Sequence, residues 1–193
     1  MGGEVKVRSR LIGVHPKGRG NGLVETESIV TDADGDTCIK MVNGSFRRGV
    51  EALGDIEAFT GAGQTYSAKI DVPERAPDVT CSAVIHENQA HIYRLSGDYN
   101  PLHIDPEAAR FGGFDEPILH GLCTFGHCAQ LLLAALCDND AKRFKKIRVR
   151  FSSPVFLNDK LVLRVWKDGP GRVLFKAAVG EKTVVSNAYF EYV

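Results

Sequence analysis

The order of apolar and polar positions changes character along the chain. Glu4–Val14, Gly22–Thr31 and Asp36–Phe46 are rich in β-branched residues in partial alternation, and the turn clusters HPKGRGNG and TDADGD separate them. This pattern predicts three strands. No stretch before residue 85 has a helical period. A three-stranded sheet without a helix must cover its second face with something else. The first sixty residues are therefore not expected to fold alone. Ile56–Gly63 reads as a linker loosened by Gly61 and Gly63, with Phe59 pinned.

Beyond the linker, Tyr66–Val72 and Cys81–Ile85 are strand candidates. Asn88–Leu95 has helical spacing and stops at Gly97. Asp105-Pro106-Glu107 is a helix start: Asp caps, Pro takes the first position, and Glu favours the positive end. That helix is expected to stop at Gly112-Gly113. Pro117–Gly121 reads as a loop. Leu122–Cys137 is apolar on nearly all sides and predicts a central, buried helix. Lys146–Phe151, Asp159–Trp166, Arg172–Val179 and Thr183–Val193 predict antiparallel strands joined by tight turns. A curved sheet around one apolar helix satisfies both apolar surfaces.

Composition narrows the function. Twenty-four basic residues cancel twenty-four acidic ones, which argues against a nucleic-acid binder and a polybasic membrane-surface protein. Leu122–Cys137 is too short to cross a bilayer. The first residues, MGGEVKVRSR, contain no apolar run of the secretory type. No targeting signal is evident, so an intracellular location, peroxisomal or cytoplasmic, is expected. Cys38, Cys81, Cys123, Cys128 and Cys137 contain no Cys-x-x-Cys pair and read as free, mostly buried thiols. No zinc spacing is present.

The chemistry-bearing stretch is YRLSGDYNPLH, Tyr93–His103. A helix ends at Gly97, a loop carries Asp98, Asn100 and His103, and a helix starts at Asp105. Asp and His five residues apart on such a loop can converge on one small molecule. The same residues can also make an ordinary capped turn. Lys142, Arg143, Lys145, Lys146, Arg148 and Arg150 form the one basic cluster. It reads either as a solvated strand face or as a contact for phosphate groups, with Arg150 singled out.

SGDYNPLHIDPEAA resembles the signature of the MaoC-like dehydratase, or hydratase 2, family. The matching residues are Tyr93, Ser96, Gly97, Asp98, Asn100, Pro101, Leu102, His103 and Ala109. GGFDEPILHGLCTFG is similar to the eukaryotic (R)-specific 2-enoyl-CoA hydratase type, and the likeness recurs weakly at RVRFSSPVF. The resemblance implies an α+β hot-dog fold, a curved antiparallel sheet around a central helix. It implies reversible addition of water to trans-2-enoyl-CoA, giving (R)-3-hydroxyacyl-CoA, with coenzyme A thioester as substrate and no metal or redox cofactor. It makes Asp98 and His103 the catalytic pair, with Asn100 orienting them. It gives Gly121 the backbone N–H that meets the thioester oxygen. Arg150, Phe151, Gly97 and His120 are the expected substrate contacts, and His120 is also expected to fix its loop. His127, Cys128 and Cys123 are expected in the core.

The resemblance also divides the chain. Residues 1–60 match the closing strands of a first hot-dog half whose opening part is absent, and residues 61–193 match the half that carries the signature. A homodimer is expected, because a hot-dog sheet leaves an open edge. Rival readings are an acyl-carrier-protein dehydratase, an acyl-CoA thioesterase and a non-catalytic acyl-CoA-binding domain.

Overall fold

The alternating stretches at the start of the chain form strands close to where the pattern places them. A computed structural model describes residues 3–18, 20–50, 59–60 and 68–193. The chain divides into two compact units, residues 1–69 and 70–193.

In the first unit, β1 (Lys6–Pro16), β2 (Gly22–Thr31), β3 (Thr37–Arg47) and β4 (Phe59–Thr60) form an antiparallel sheet of order β3-β2-β1-β4. The β1–β2 hairpin closes with Pro16 opposite Gly22, so the expected turn KGRGNG falls between the two strands, with Arg19 outside the described residues. Phe59 is pinned opposite Val14. Most of the expected linker lies outside the described residues. The ladder slips between Leu11 and Gly13, which is a bulge centred on Ile12. Glu25 and Glu27 are both 1% exposed. Each finds a partner on the same sheet. Glu27 pairs with Arg10 at 2.7 Å and Lys40 at 2.5 Å, and Glu25 meets His15 Nε2 at 2.9 Å.

The second unit contains β5 (Val79–Val84), α1 (Gln89–Arg94), α2 (Pro106–Phe111), α3 (Gly121–Leu136), β6 (Phe144–Phe151), β7 (Lys160–Lys167), β8 (Arg172–Val179) and β9 (Lys182–Tyr192). The five strands are antiparallel in the order β5-β7-β8-β9-β6. α3 touches both edge strands, β5 and β6. Five strands about 4.8 Å apart make a sheet roughly 19 Å wide, and a helix is about 10 Å across. One helix meets both edges only if the sheet curls around it. This is the hot-dog arrangement. Phe175, Phe190, Leu161, Leu163 and Leu132 are fully buried between sheet and helix. Each such side chain stabilises the fold by about 1.5–3 kcal/mol.

Two expectations are corrected. The described part of Tyr66–Val72, residues 68–72, is not a strand. The Ile70 N–H donates to the Asn187 side-chain oxygen instead of a ladder carbonyl, and Pro73 follows directly. α3 is buried on one side only. Cys123, Thr124, Cys128 and Leu132 face the sheet, whereas Leu122 is 61% exposed and Gly126 and Gln130 are exposed. A curled sheet covers one side of a helix, and the apolar composition of α3 does not say which.

Candidate active site

The short helices exist to set the loops between them. α1 ends where Gly97 takes φ +104°, a left-handed conformation that favours glycine. Asp98 follows. Its carboxylate accepts the Asn100 N–H at 3.2 Å, and the Asn100 side chain accepts the Leu102 N–H at 3.1 Å. These two local bonds fold Pro101–His103 into a single turn of 3-10 helix. Asp105 then caps α2 by accepting the Glu107 N–H at 2.8 Å. Arg94 braces the loop from behind, donating to the Tyr99 carbonyl at 2.8 Å.

His103 is 8% exposed, and its Nδ1 lies 2.7 Å from the Ile118 carbonyl. A carbonyl only accepts, so Nδ1 carries the hydrogen and Nε2 of the neutral ring keeps its lone pair. Ile118 is held in turn, because Leu119 N–H donates to the Val155 carbonyl at 2.7 Å. His120 is 1% exposed. Its ring stacks on His103 with centroids 3.7 Å apart and lies 4.6 Å from the Tyr93 ring. Burial and the neighbouring His103 both lower the His120 pKa, keeping it neutral near pH 7.

Gly121 opens α3, and His120 makes no side-chain cap. The first amides of a helix have no partner within it, and the positive dipole end favours developing negative charge there. A pocket of about 340 Å³ lies against this helix end, with His103, Gly121, Thr124, Phe151, Ser152 and Phe114 in its wall. The Phe151 ring lies 3.5 Å from where a Gly121 side chain would begin. Asp98 is exposed and stands beside the pocket. The side-chain ligand atoms of Asp98, His103 and His120 lie within 4.8 Å of one another.

The structure thus gathers Asp98, Asn100, His103, His120, Gly121 and Phe151 from the expected residues. Arg150 is exposed next to Phe151 on β6, outside the pocket wall. Gly97 shapes the backbone before Asp98. His120 lies beneath the pocket wall. Cys123 and Cys128 are core, and burial pushes the Cys128 thiol up to about 12. His127 is half-buried beside a second pocket of about 240 Å³ with Gln89, Tyr93 and Cys123. Sequence reasoning missed Ile118, Thr124 and Arg94. The first and last act through hydrogen bonds to backbone carbonyls, which leave no mark on residue type.

An aspartate and two histidines within 4.8 Å are within reach of one cation. The ring stack works against it, because in-plane lone pairs of stacked imidazoles run side by side and do not converge. What the arrangement can do is hold a small polar molecule between the Asp98 carboxylate and His103 Nε2, next to free amides.

The family described as MaoC like domain matches residues 67–189. The chain belongs to the MaoC-like family. The chain is 49% identical over 128 residues to peroxisomal multifunctional enzyme type 2 of Mus musculus, covering 65% of the chain and 17% of that protein. It is 37% identical over 171 residues to probable enoyl-CoA hydratase 2 of Dictyostelium discoideum, covering 88% of the chain and 56% of that protein. The crystal structure of a MaoC-like dehydratase from Phytophthora capsici superposes with a TM-score of 0.89 at 40% identity, over 99% of this chain and 65% of that one. The MaoC-like chain therefore spans between a sixth and slightly over half of these two curated relatives' length.

Proposed function

We propose that this MaoC-like chain is a hydro-lyase of fatty-acid metabolism that adds water reversibly to trans-2-enoyl-CoA and yields (R)-3-hydroxyacyl-CoA. One observation carries the reading. The Ile118 carbonyl fixes the tautomer of His103 and leaves Nε2 as its acceptor, and a ring nitrogen of His103 lies within 4.8 Å of an Asp98 carboxylate oxygen. Two acceptors within about 5 Å hold one water by both of its hydrogens. Its oxygen lone pair then faces outward, toward C3 of an enoyl thioester.

The steps balance without a redox partner or a metal. The water oxygen bonds to C3, and the C2–C3 π electrons move to the thioester oxygen. Gly121 N–H stabilises that oxyanion, and one such donor is worth roughly 3 kcal/mol. The water proton passes to the Asp98–His103 pair, and the pair returns a proton to C2. Addition from one side sets the R configuration. Asn100 holds the loop that carries both members. Phe151 covers the acyl thioester, and Arg150 meets the coenzyme A phosphates.

Relatives named enoyl-CoA hydratase 2 and peroxisomal multifunctional enzyme support the substrate class, and the second name favours the peroxisome over the cytoplasm as the location we propose. The partner we propose besides substrate is a second copy of the chain, since β5 and β6 are edge strands. No described helix is long and apolar enough to cross a membrane. We propose no nucleic-acid partner.

The test is incubation with crotonyl-CoA, following enoyl absorbance and free thiol together. Loss of absorbance without thiol is the expected result. Thiol release would replace the reading with a thioesterase. Asp98→Asn and His103→Ala are each expected to lower turnover at least ~100-fold.

A further inference from the structure

We infer that His120 is a positioning residue for this reaction, holding Asp98 and His103 in register with the Gly121 amide. The inference rests on the hydratase reading for its kinetic consequences. Its structural content stands apart from that reading.

His120 is too buried to touch substrate, at 1% exposure, and it is absent from the pocket wall. What it touches is the machinery. Its Nε2 lies 3.3 Å from the Asp98 backbone carbonyl. That carbonyl only accepts, so Nε2 carries the hydrogen. Its face stacks on the ring of His103 at an angle of 27°, and Tyr93 packs on it at 48°. Its own backbone leads directly into Gly121 at the start of α3. One side chain therefore joins three parts of the site that sequence separates by up to 23 residues.

The stack supplies what the hydrogen bond to Ile118 lacks. A single bond at Nδ1 leaves the His103 ring free to swing about that bond. The His120 face closes that freedom. The two histidines must then be opposite tautomers, Nδ1–H in His103 and Nε2–H in His120. His120 Nδ1 is buried and has no hydrogen-bond partner among the described residues. With no acceptor for a hydrogen at Nδ1, the protonated ring is disfavoured. His120 stays neutral and leaves proton exchange to the Asp98–His103 pair. Misplacement of a reacting group by about 1 Å can cost 10²-fold in rate.

The experiment uses the full chain. Nitrogen-15 NMR of the imidazoles at pH 7 should show His103 as the Nδ1–H form and His120 as the Nε2–H form. A protonated His120, or the same tautomer in both rings, would overturn the proposal, whatever the chain catalyses. His120→Phe keeps a stacking ring and loses the donor, while His120→Gln keeps a donor and loses the ring. Each should lower kcat on crotonyl-CoA about 10- to 100-fold, with KM within about threefold. The double variant His120→Phe with Asp98→Asn should be no worse than Asp98→Asn alone within about threefold, because the two act as one unit. Independent, multiplying losses, or a loss confined to KM, would refute the positioning role. A wild-type chain with no hydratase activity but the expected tautomers would remove the hydratase reading and leave the ring arrangement intact.

Discussion

Residues 1–69 and 70–193 are both built on antiparallel sheets, yet different forces hold them. Among the described residues, Ile12 is the one buried apolar side chain of the first unit, and the rest of the buried apolar set belongs to the second. The first unit instead buries Glu25 and Glu27 with their basic partners, and it exposes Val5, Val7, Leu11, Ile39, Met41 and Phe46. The second wraps its sheet around α3 and closes a core of leucine, valine and phenylalanine. Alternation makes a strand in either unit. A core forms only where a second layer of matching shape lies within the same stretch of chain.

The largest test of this difference is to separate the units. Residues 70–193 expressed alone should melt cooperatively, and residues 1–69 alone should show no fixed tertiary structure by NMR dispersion. A well-dispersed spectrum from 1–69 would show that its charged pairs suffice without an apolar core. Within the whole chain, Phe175→Ala should cost about 3–5 kcal/mol in urea unfolding. Val7→Ala, at a position 62% exposed, should stay within ~0.5 kcal/mol.

Two glycines sharpen the contrast. A side chain at Gly13 would begin 2.7 Å from both Glu25 Oε2 and His15 Nε2, the two atoms of a hydrogen bond. Gly13→Ala should destabilise the chain by roughly 1–3 kcal/mol as that bond is displaced. At Gly121 the same methyl meets the Phe151 ring at 3.5 Å, an ordinary contact. Gly121→Ala should therefore melt within a few degrees of the parent. It should still hydrate crotonyl-CoA about tenfold or more slowly, because the methyl stands beside the amide the thioester oxygen needs. Equal effects of the two substitutions on melting would contradict the packing difference between the units.

The legible parts of the molecule are those with local causes. Asp105-Pro106 announces α2, and Asn100-Pro101 announces the turn that presents His103, because the hydrogen bonds involved span two residues. Asp98, His103 and Gly121 stand out through the family resemblance of their motif, which local hydrogen bonds alone do not supply. Phe59 is held by ladder pairing opposite Val14, while its ring is 46% exposed, so backbone pairing and not burial of the ring pins it. What stayed hidden is long-range. The Ile118 carbonyl on His103, the His120 ring beneath it and the Asn187 oxygen on Ile70 join residues 15 to 117 positions apart. The exposed side of α3 was hidden too, since an all-round apolar helix carries no stripe to show which side a sheet will cover.

The smallest expected effect is a difference in acid response. In the second unit, His120 and His127 titrate below the ordinary histidine value of 6.5, chiefly because burial disfavours the charged ring. As pH falls through 6.5 the unfolded chain takes up protons that the folded unit refuses, so stability is lost from there downward. In the first unit, Glu27 titrates below the ordinary value of 4.5, chiefly through its bond to Lys40 and with help from Arg10. That contribution is complete above 4.5 and is lost only as pH falls further, when the unfolded chain protonates first. Asp78 of the second unit, lowered by Arg75, joins it below 3.8. Between pH 7 and 5 the loss carried by His120 and His127 should therefore fall on the second unit. Trp166 is the one tryptophan and lies buried on β7, so its fluorescence reports that unit alone. Its urea midpoint should drift down from pH 7.5 to 5, and His127→Phe should reduce the drift. Amide resonances of β2 should keep their positions until below about pH 4.5. A β2 transition near pH 6, or a Trp166 midpoint that is flat to pH 5, would mean that the buried histidines do not set the acid response.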